Sequence, residues 1–177
     1  MRLFKRIIGF ILLVIVVLAI VGMFLPREVS VARSIEINAT PDKIFPHFNN
    51  LQKTIAWSPW LQHDPETKNT FNDIPEGVGA VMEWASDHKK VGSGRMEITE
   101  STLNESIAVD LDFGDMGSAV AGWKLDPSGD NTKATWSMTT DMGAGPVGRL
   151  FGVLMKKWIA ADYDQGLENL KKLVETQ

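Results

Sequence analysis

The chain contains no cysteine. That excludes a disulfide framework, a thiol nucleophile, a cysteine-ligated metal and a lipidated cysteine. It leaves the redox compartment open. Histidine is scarce: His47, His63 and His88 stand in polar neighbourhoods, and no two are spaced as metal ligands, so no metal site is expected. No G-x-S-x-G element occurs, and Ser93 sits in an ordinary strand pattern. Internal repeats and low-complexity tracts are also missing. So is a basic stripe. Three of the 18 basic residues precede Arg27 and all 22 acids follow it, which leaves the portion from Arg27 onward near −7. Nucleic-acid affinity comes mainly from phosphate neutralisation, so no nucleic-acid partner is expected.

What the chain does have, at its front, is a long apolar run. Ile7 to Leu25 reads I-I-G-F-I-L-L-V-I-V-V-L-A-I-V-G-M-F-L, without a charge. At 1.5 Å per residue, a helix of this length nearly crosses a hydrocarbon core of about 30 Å. A cleaved signal peptide would have a shorter apolar region ending in an A-x-A-like site. The small residues around Ala19-Ile20-Val21-Gly22 do not fall at those positions. Residues 1–26 are therefore expected to be an uncleaved membrane anchor, and residues 27–177 one folded domain. Arg2, Lys5 and Arg6 precede the run, which predicts a cytoplasmic N-terminus and an extracytoplasmic domain, periplasmic in a bacterium. Arg27 and Arg33 weaken the contrast.

Periodicity divides the remainder. Val29, Val31, Ile35 and Ile37 alternate as in a half-buried strand. Thr40-Pro41 then marks a helix start, with the threonine hydroxyl as cap, and Pro46 keeps that helix short or bent. A second short helix is expected over Leu51–Trp57. Alternating segments follow at 67–72, 79–86, 91–99, 106–113, 117–125 and 132–141, separated by turn residues. From about Pro146 to Val174 the period becomes helical. Val147, Leu150, Phe151, Leu154, Trp158 and Ala161 form one apolar series, and Ile159, Tyr163, Leu167, Leu170 and Val174 form a second, rotated one. The pattern fits a long helix laid across a curved antiparallel sheet.

Four stretches make this order recognisable: V-A-R-S-I-E-I-N-A-T-P-D-K-I-F from Val31, W-S-P-W at 57–60, V-G-S-G-R-M-E-I-T-E from Val91, and I-A-A-D-Y-D-Q-G-L-E-N-L-K-K-L from Ile159. Over roughly residues 29–175 the chain resembles the START-like (SRPBCC, polyketide cyclase and lipid-transport) superfamily. The resemblance implies an α+β helix-grip fold, with a ligand cavity between the sheet and the C-terminal helix.

The residues themselves allow two readings of that interior. Gly92, Gly94, Ala119 and Ala121 share inward faces with Met96, Trp123, Trp136 and Met138. Small residues there leave volume unless the helix moves in to fill it. On the cavity reading, Met82, Trp84, Met96, Leu111, Phe113, Ala121, Trp123, Trp136 and Met138 line the sheet side. Phe151 and Met155 line the helix side, and Trp57 and Trp60 wall or close the mouth. The competing reading has the two tryptophans seal the end of a solid core. Arg33 shares the inward phase of its strand, so it meets either a ligand carboxylate or phosphate, or an ion-pair partner at the rim.

No catalytic constellation emerges. Asp110, Asp112 and Glu97 fall on the opposite strand faces, and Glu83 points away. Gly143-Ala144-Gly145-Pro146-Val147-Gly148 matches G-x-G-x-x-G, but no parallel strand follows the helix it opens, so no cofactor is expected. The leading expectation is a membrane-held domain that binds a hydrophobic or lipid-like molecule without turnover. A cyclase or dehydratase-type enzyme and a filled protein-interaction module are the alternatives.

Overall fold

The structure, a computed structural model, describes residues 2–176; Met1, the Arg2 side chain and Gln177 lie outside the described residues. A 23-residue helix, α1 (Arg2–Phe24), comes first. Its apolar residues from Leu3 to Phe24 are almost all exposed, and the helix is long and apolar enough to cross a membrane.

Strand β1 (Glu28–Ile37) follows, burying Val29, Val31 and Ile37. Four single-turn helices come next: α2 (Pro41–Ile44), α3 (Pro46–Asn49), α4 (Leu51–Thr54) and α5 (Pro59–His63). Prolines open three of them, where the missing N–H costs nothing. Pro46 does more than bend the expected first helix; it divides it into α2 and α3. Thr40 has the extended backbone of a cap, but its hydroxyl makes no capping bond. The expected second helix ends at Thr54, so Trp57 falls in the turn before α5.

The sheet comprises β2 (Lys68–Phe71), β3 (Val81–Ala85), β4 (Ser93–Thr102), β5 (Ser106–Asp112), β6 (Ser118–Ser128) and β7 (Asn131–Asp141), with β1. All neighbours are antiparallel, in the order β1-β7-β6-β5-β4-β3-β2. Two local devices shape it. In β4 the register shifts between Ile98 and Glu100, a bulge that bends the strand. Between β6 and β7, Gly129 at φ 63° begins a two-residue hairpin turn that a side chain would strain.

The last helix, α6 (Pro146–Glu175), runs along β1. Its distal half buries Ala160, Tyr163, Gly166, Leu167, Leu170 and Val174. Along the first half only Gly152 is buried. Of the two apolar series in the sequence, the Tyr163–Val174 one faces the core. Val147, Phe151, Leu154 and Trp158 of the other face outward.

Candidate functional site

Between α6 and the concave face of the sheet lies an apolar cavity of about 300 Å³, at the small end of the range for ligand sites. One wall is aromatic. Phe48, Trp123, Trp136 and Tyr163 form a stacked column with centroid separations of 5.3, 5.4 and 3.9 Å. It joins α3 to β6, β7 and α6. Trp57 stands edge-on to Phe48, Trp123 and Trp136, and Trp60 edge-on to Trp136 and Tyr163. Gly166 permits this packing: a Cβ there would come within 2.8 Å of the Trp136 ring and 3.0 Å of Pro59.

The other wall comes from the sheet. Met82 and Trp84 of β3, Met96 of β4, Val109 and Leu111 of β5, Ala121 of β6 and Met138 of β7 face the hollow, with Phe113 just beyond β5. Gly94 on β4 makes room for the Trp84 indole, since a Cβ would sit 2.5 Å from that ring. The indole N–H donates to the Val91 carbonyl at 3.4 Å. The small residues on the inward faces thus serve two ends. Ala121 leaves open space, and Gly94 accommodates a tryptophan.

Eleven of the residues singled out from the sequence are therefore brought together around one hollow: Trp57, Trp60, Met82, Trp84, Met96, Leu111, Phe113, Ala121, Trp123, Trp136 and Met138. Three are not. Phe151 is 48% exposed on the outer face of α6. It lies eight residues from the cavity-facing Ile159, about 80° away around the helix. Met155 is half-buried against the core but does not line the hollow. Arg33 keeps its inward phase, yet its guanidinium turns to Asp164 of α6 at 3.2 Å and to the Ala32 carbonyl at 3.1 Å. It is a rim ion pair and not a cavity cation.

Trp57 is 1% exposed. It walls the cavity from inside and does not stand at an opening. Its indole N–H donates to the His47 carbonyl, and its own carbonyl accepts from the Asn169 side chain of α6. The exposed lining residues are Lys89 and Lys90 in the β3–β4 turn and Met116 in the short 3-10 turn Gly114–Met116, and these mark the mouth. Sequence reasoning missed Val109, Ile159 and Tyr163 as wall residues. Alternation and helix phase were sufficient to find the first two.

The polar groups on the wall are few. Among the described residues lining the hollow there is no Asp, Glu or His; Thr54, Ser58, Tyr163 and the two rim lysines are the polar side chains. Burial pushes the Tyr163 phenol above the usual tyrosine range, so it stays protonated and is a donor. The indole N–H groups of Trp123 and Trp136 have no acceptor among the described residues.

Exposed His63 and His88 keep the polar surroundings expected of them, and buried His47 does not. His63 and His88 come face to face, with ring centroids 6.3 Å apart. The nearby Asp64 is held below the usual carboxylate range by the Ser86 hydroxyl and the Glu66 N–H. His47 is buried, and its Nδ1 has no partner among the described residues. Burial, then the Lys53 charge, lowers its pKa below 6.5. The fold therefore favours neutral His47, and the unfolded chain binds the proton first. That part of the stability is complete above about pH 6.5 and is lost as the pH falls towards the lower folded value. His47→Gln should flatten the decline that starts below pH 6.5 in denaturation midpoints measured against pH. The steeper acid limb from carboxylates such as Asp64, below 3.8, should remain.

A model of the family described as polyketide cyclase / dehydrase and lipid transport matches residues 28–175. No curated protein matches the sequence. Among solved structures, protein MLL2253 from Mesorhizobium loti is 16% identical at a TM-score of 0.61, with 84% of this chain and 98% of that one covered. Ara h 8.0201 is 12% identical at 0.60, covering 85% and 99%. DynU16, a protein in the dynemicin biosynthetic locus, is 14% identical at 0.59, covering 83% of this chain and 47% of that one. At such identities the structural likenesses establish the shared fold. The family match runs from the first residue of β1 to the last of α6, so it takes in sheet, hollow and helix together, and the chain belongs to the polyketide cyclase/dehydrase and lipid-transport family.

Proposed function

We propose that this protein binds a small hydrophobic or lipid-like molecule in the cavity between sheet and α6, without chemical turnover, while residues 1–26 anchor residues 27–177 to a membrane. The observation that carries the reading is the hollow itself, walled by tryptophan, methionine and aliphatic side chains of the sheet and by Ile159 and Tyr163 of α6. Burying an acyl or isoprenoid chain there would contribute about 0.8 kcal/mol per CH₂. The lysines at the rim favour a ligand that also carries an acid. A wall without carboxylate or imidazole among the described residues supports binding over acid–base chemistry. The flanking charges Arg2, Lys5 and Arg6 support a cytoplasmic N-terminus and an extracytoplasmic domain.

Native mass spectrometry of the full chain, released from lipid nanodiscs after gentle purification, tests this. The expected result is a protein ion carrying one small apolar adduct, exchangeable for an added fatty acid. An adduct-free ion, together with no shift in melting temperature across a panel of fatty acids and isoprenoids, would overturn it.

A further inference from the structure

The first half of α6 has its small residues inward and its large ones outward. A Cβ on Gly148 would collide with the Met142 carbonyl, and one on Gly152 with Val29 and Met142. These two glycines face the body. Val147, Phe151, Leu154 and Trp158 are between 48% and 78% exposed. Their spacing of four, three and four places them in one stripe, about 16 Å long at the helical rise. Phe151 packs edge-on against Trp158 at 6.0 Å, and exposed Lys157 stands about a quarter turn around the helix from the stripe. A helix face of this kind left in water costs free energy, so something apolar covers it.

The position of the stripe indicates what covers it. The start of α6 lies against the last turn of α1: a Cβ on Gly22 would meet Pro146 at 2.6 Å. Arg149 donates to the Met23 carbonyl at 2.9 Å and to the Leu25 carbonyl at 3.2 Å. The sheet register then shows which end of the body is near. Glu28, where β1 enters from α1, is opposite Asp141; Ala119 is opposite Thr140, Asp112 opposite Ser118, and Ala85 opposite Ser93. The β5–β6 turn with Met116 and the β3–β4 turn with Lys89 and Lys90 therefore share the sheet end at which α1 joins. That is the end carrying the cavity mouth.

We propose that this end of the body rests on the bilayer that α1 spans, with the Val147–Trp158 stripe seated at the head-group and acyl boundary and the cavity mouth turned to the lipid. The inference rests on the anchor and ligand readings above and adds the source of the ligand, which is the membrane itself. Tryptophan at the boundary and lysine towards the phosphates are the side chains such a face uses. Exposed Met116, at the mouth, would touch the same surface.

The six tryptophans all lie between residues 57 and 158, none of them in α1. Quenching by lipid with brominated acyl chains therefore reports on the body and not on the anchor. With the full chain in nanodiscs of such lipid, a quenched component of the emission is expected that disappears in Trp158→Phe and shrinks in Leu154→Asp. Equal quenching in wild type and Trp158→Phe would overturn the inference. So would a Trp158 component reached by aqueous iodide but not by bromine. A component shielded from both, in particles holding two chains, would mean that a second copy covers the stripe, and would overturn it too. Carbonate extraction separates the levels. Release of the chain would overturn the anchor, and this inference with it. Retention with an unquenched Trp158 would overturn this inference alone.

Discussion

Trp57→Ala should cost about 3–5 kcal/mol of stability, the range for truncating a buried tryptophan. The ring is 1% exposed, meets Phe48, Trp123 and Trp136 edge-on, and donates its N–H to the His47 carbonyl. Alanine removes all of these contacts and leaves the His47 carbonyl without its indole donor. Trp57→Phe separates the contributions: most of the aromatic packing survives, and the lost hydrogen bond should account for about 1 kcal/mol. Trp60 is only half-buried, so Trp60→Ala should cost less stability and act more on ligand affinity. Denaturant midpoints of the full chain in nanodiscs would measure the series. A smaller loss for Trp57→Ala than for Trp60→Ala would contradict the placement of Trp57 inside the wall.

Ala121→Phe should lower affinity for an apolar ligand by at least about tenfold, or 1.4 kcal/mol, with little change in stability. Ala121 lies on β6 between Val109 and Met138, facing the hollow. The added ring would occupy the space the ligand needs. In a solid core the same substitution would overpack, at about 1–3 kcal/mol. Titration calorimetry and thermal unfolding on the same sample therefore distinguish an open interior from a filled one. Lost binding with retained stability supports the cavity; lost stability with no binding in either protein contradicts it.

These two residues show why part of the site was legible and part was not. Ala121 could be read from alternation alone, because a strand's period of two assigns each side chain to a face once one buried neighbour is known. Met82, Met96, Leu111, Trp123, Trp136 and Met138 followed in the same way. Trp57 lies in a turn between one-turn helices, where no period applies. Its depth depends on how α3, α4 and α5 fold back against β6 and β7, which is a long-range matter. Phe151 and Met155 failed for another reason. A 30-residue helix with apolar residues around most of its first half has no unique inward phase, and only contact with β1 and α1 selects one. Arg33 was correctly phased, but strand phase does not say where a long flexible side chain ends.

The sequence alone determined the seven strands and their order, the long helices before and after them, the antiparallel character of the sheet and the inward faces of its strands. These follow from local periodicity, proline and glycine positions, and charge. Only the tertiary structure decided that four stacked rings bridge sheet and helix while leaving a hollow beside them, that the mouth lies at the β3–β4 and β5–β6 turns, and that the outward stripe of α6 stands beside α1. Those features depend on how far apart two packed layers come to rest and on the rotation of one helix. The first is set by contacts between separate elements, such as Phe48 with Trp123 and Trp136 with Tyr163, and the second by contacts of α6 with α1 and β1, so no local pattern in the chain encodes them.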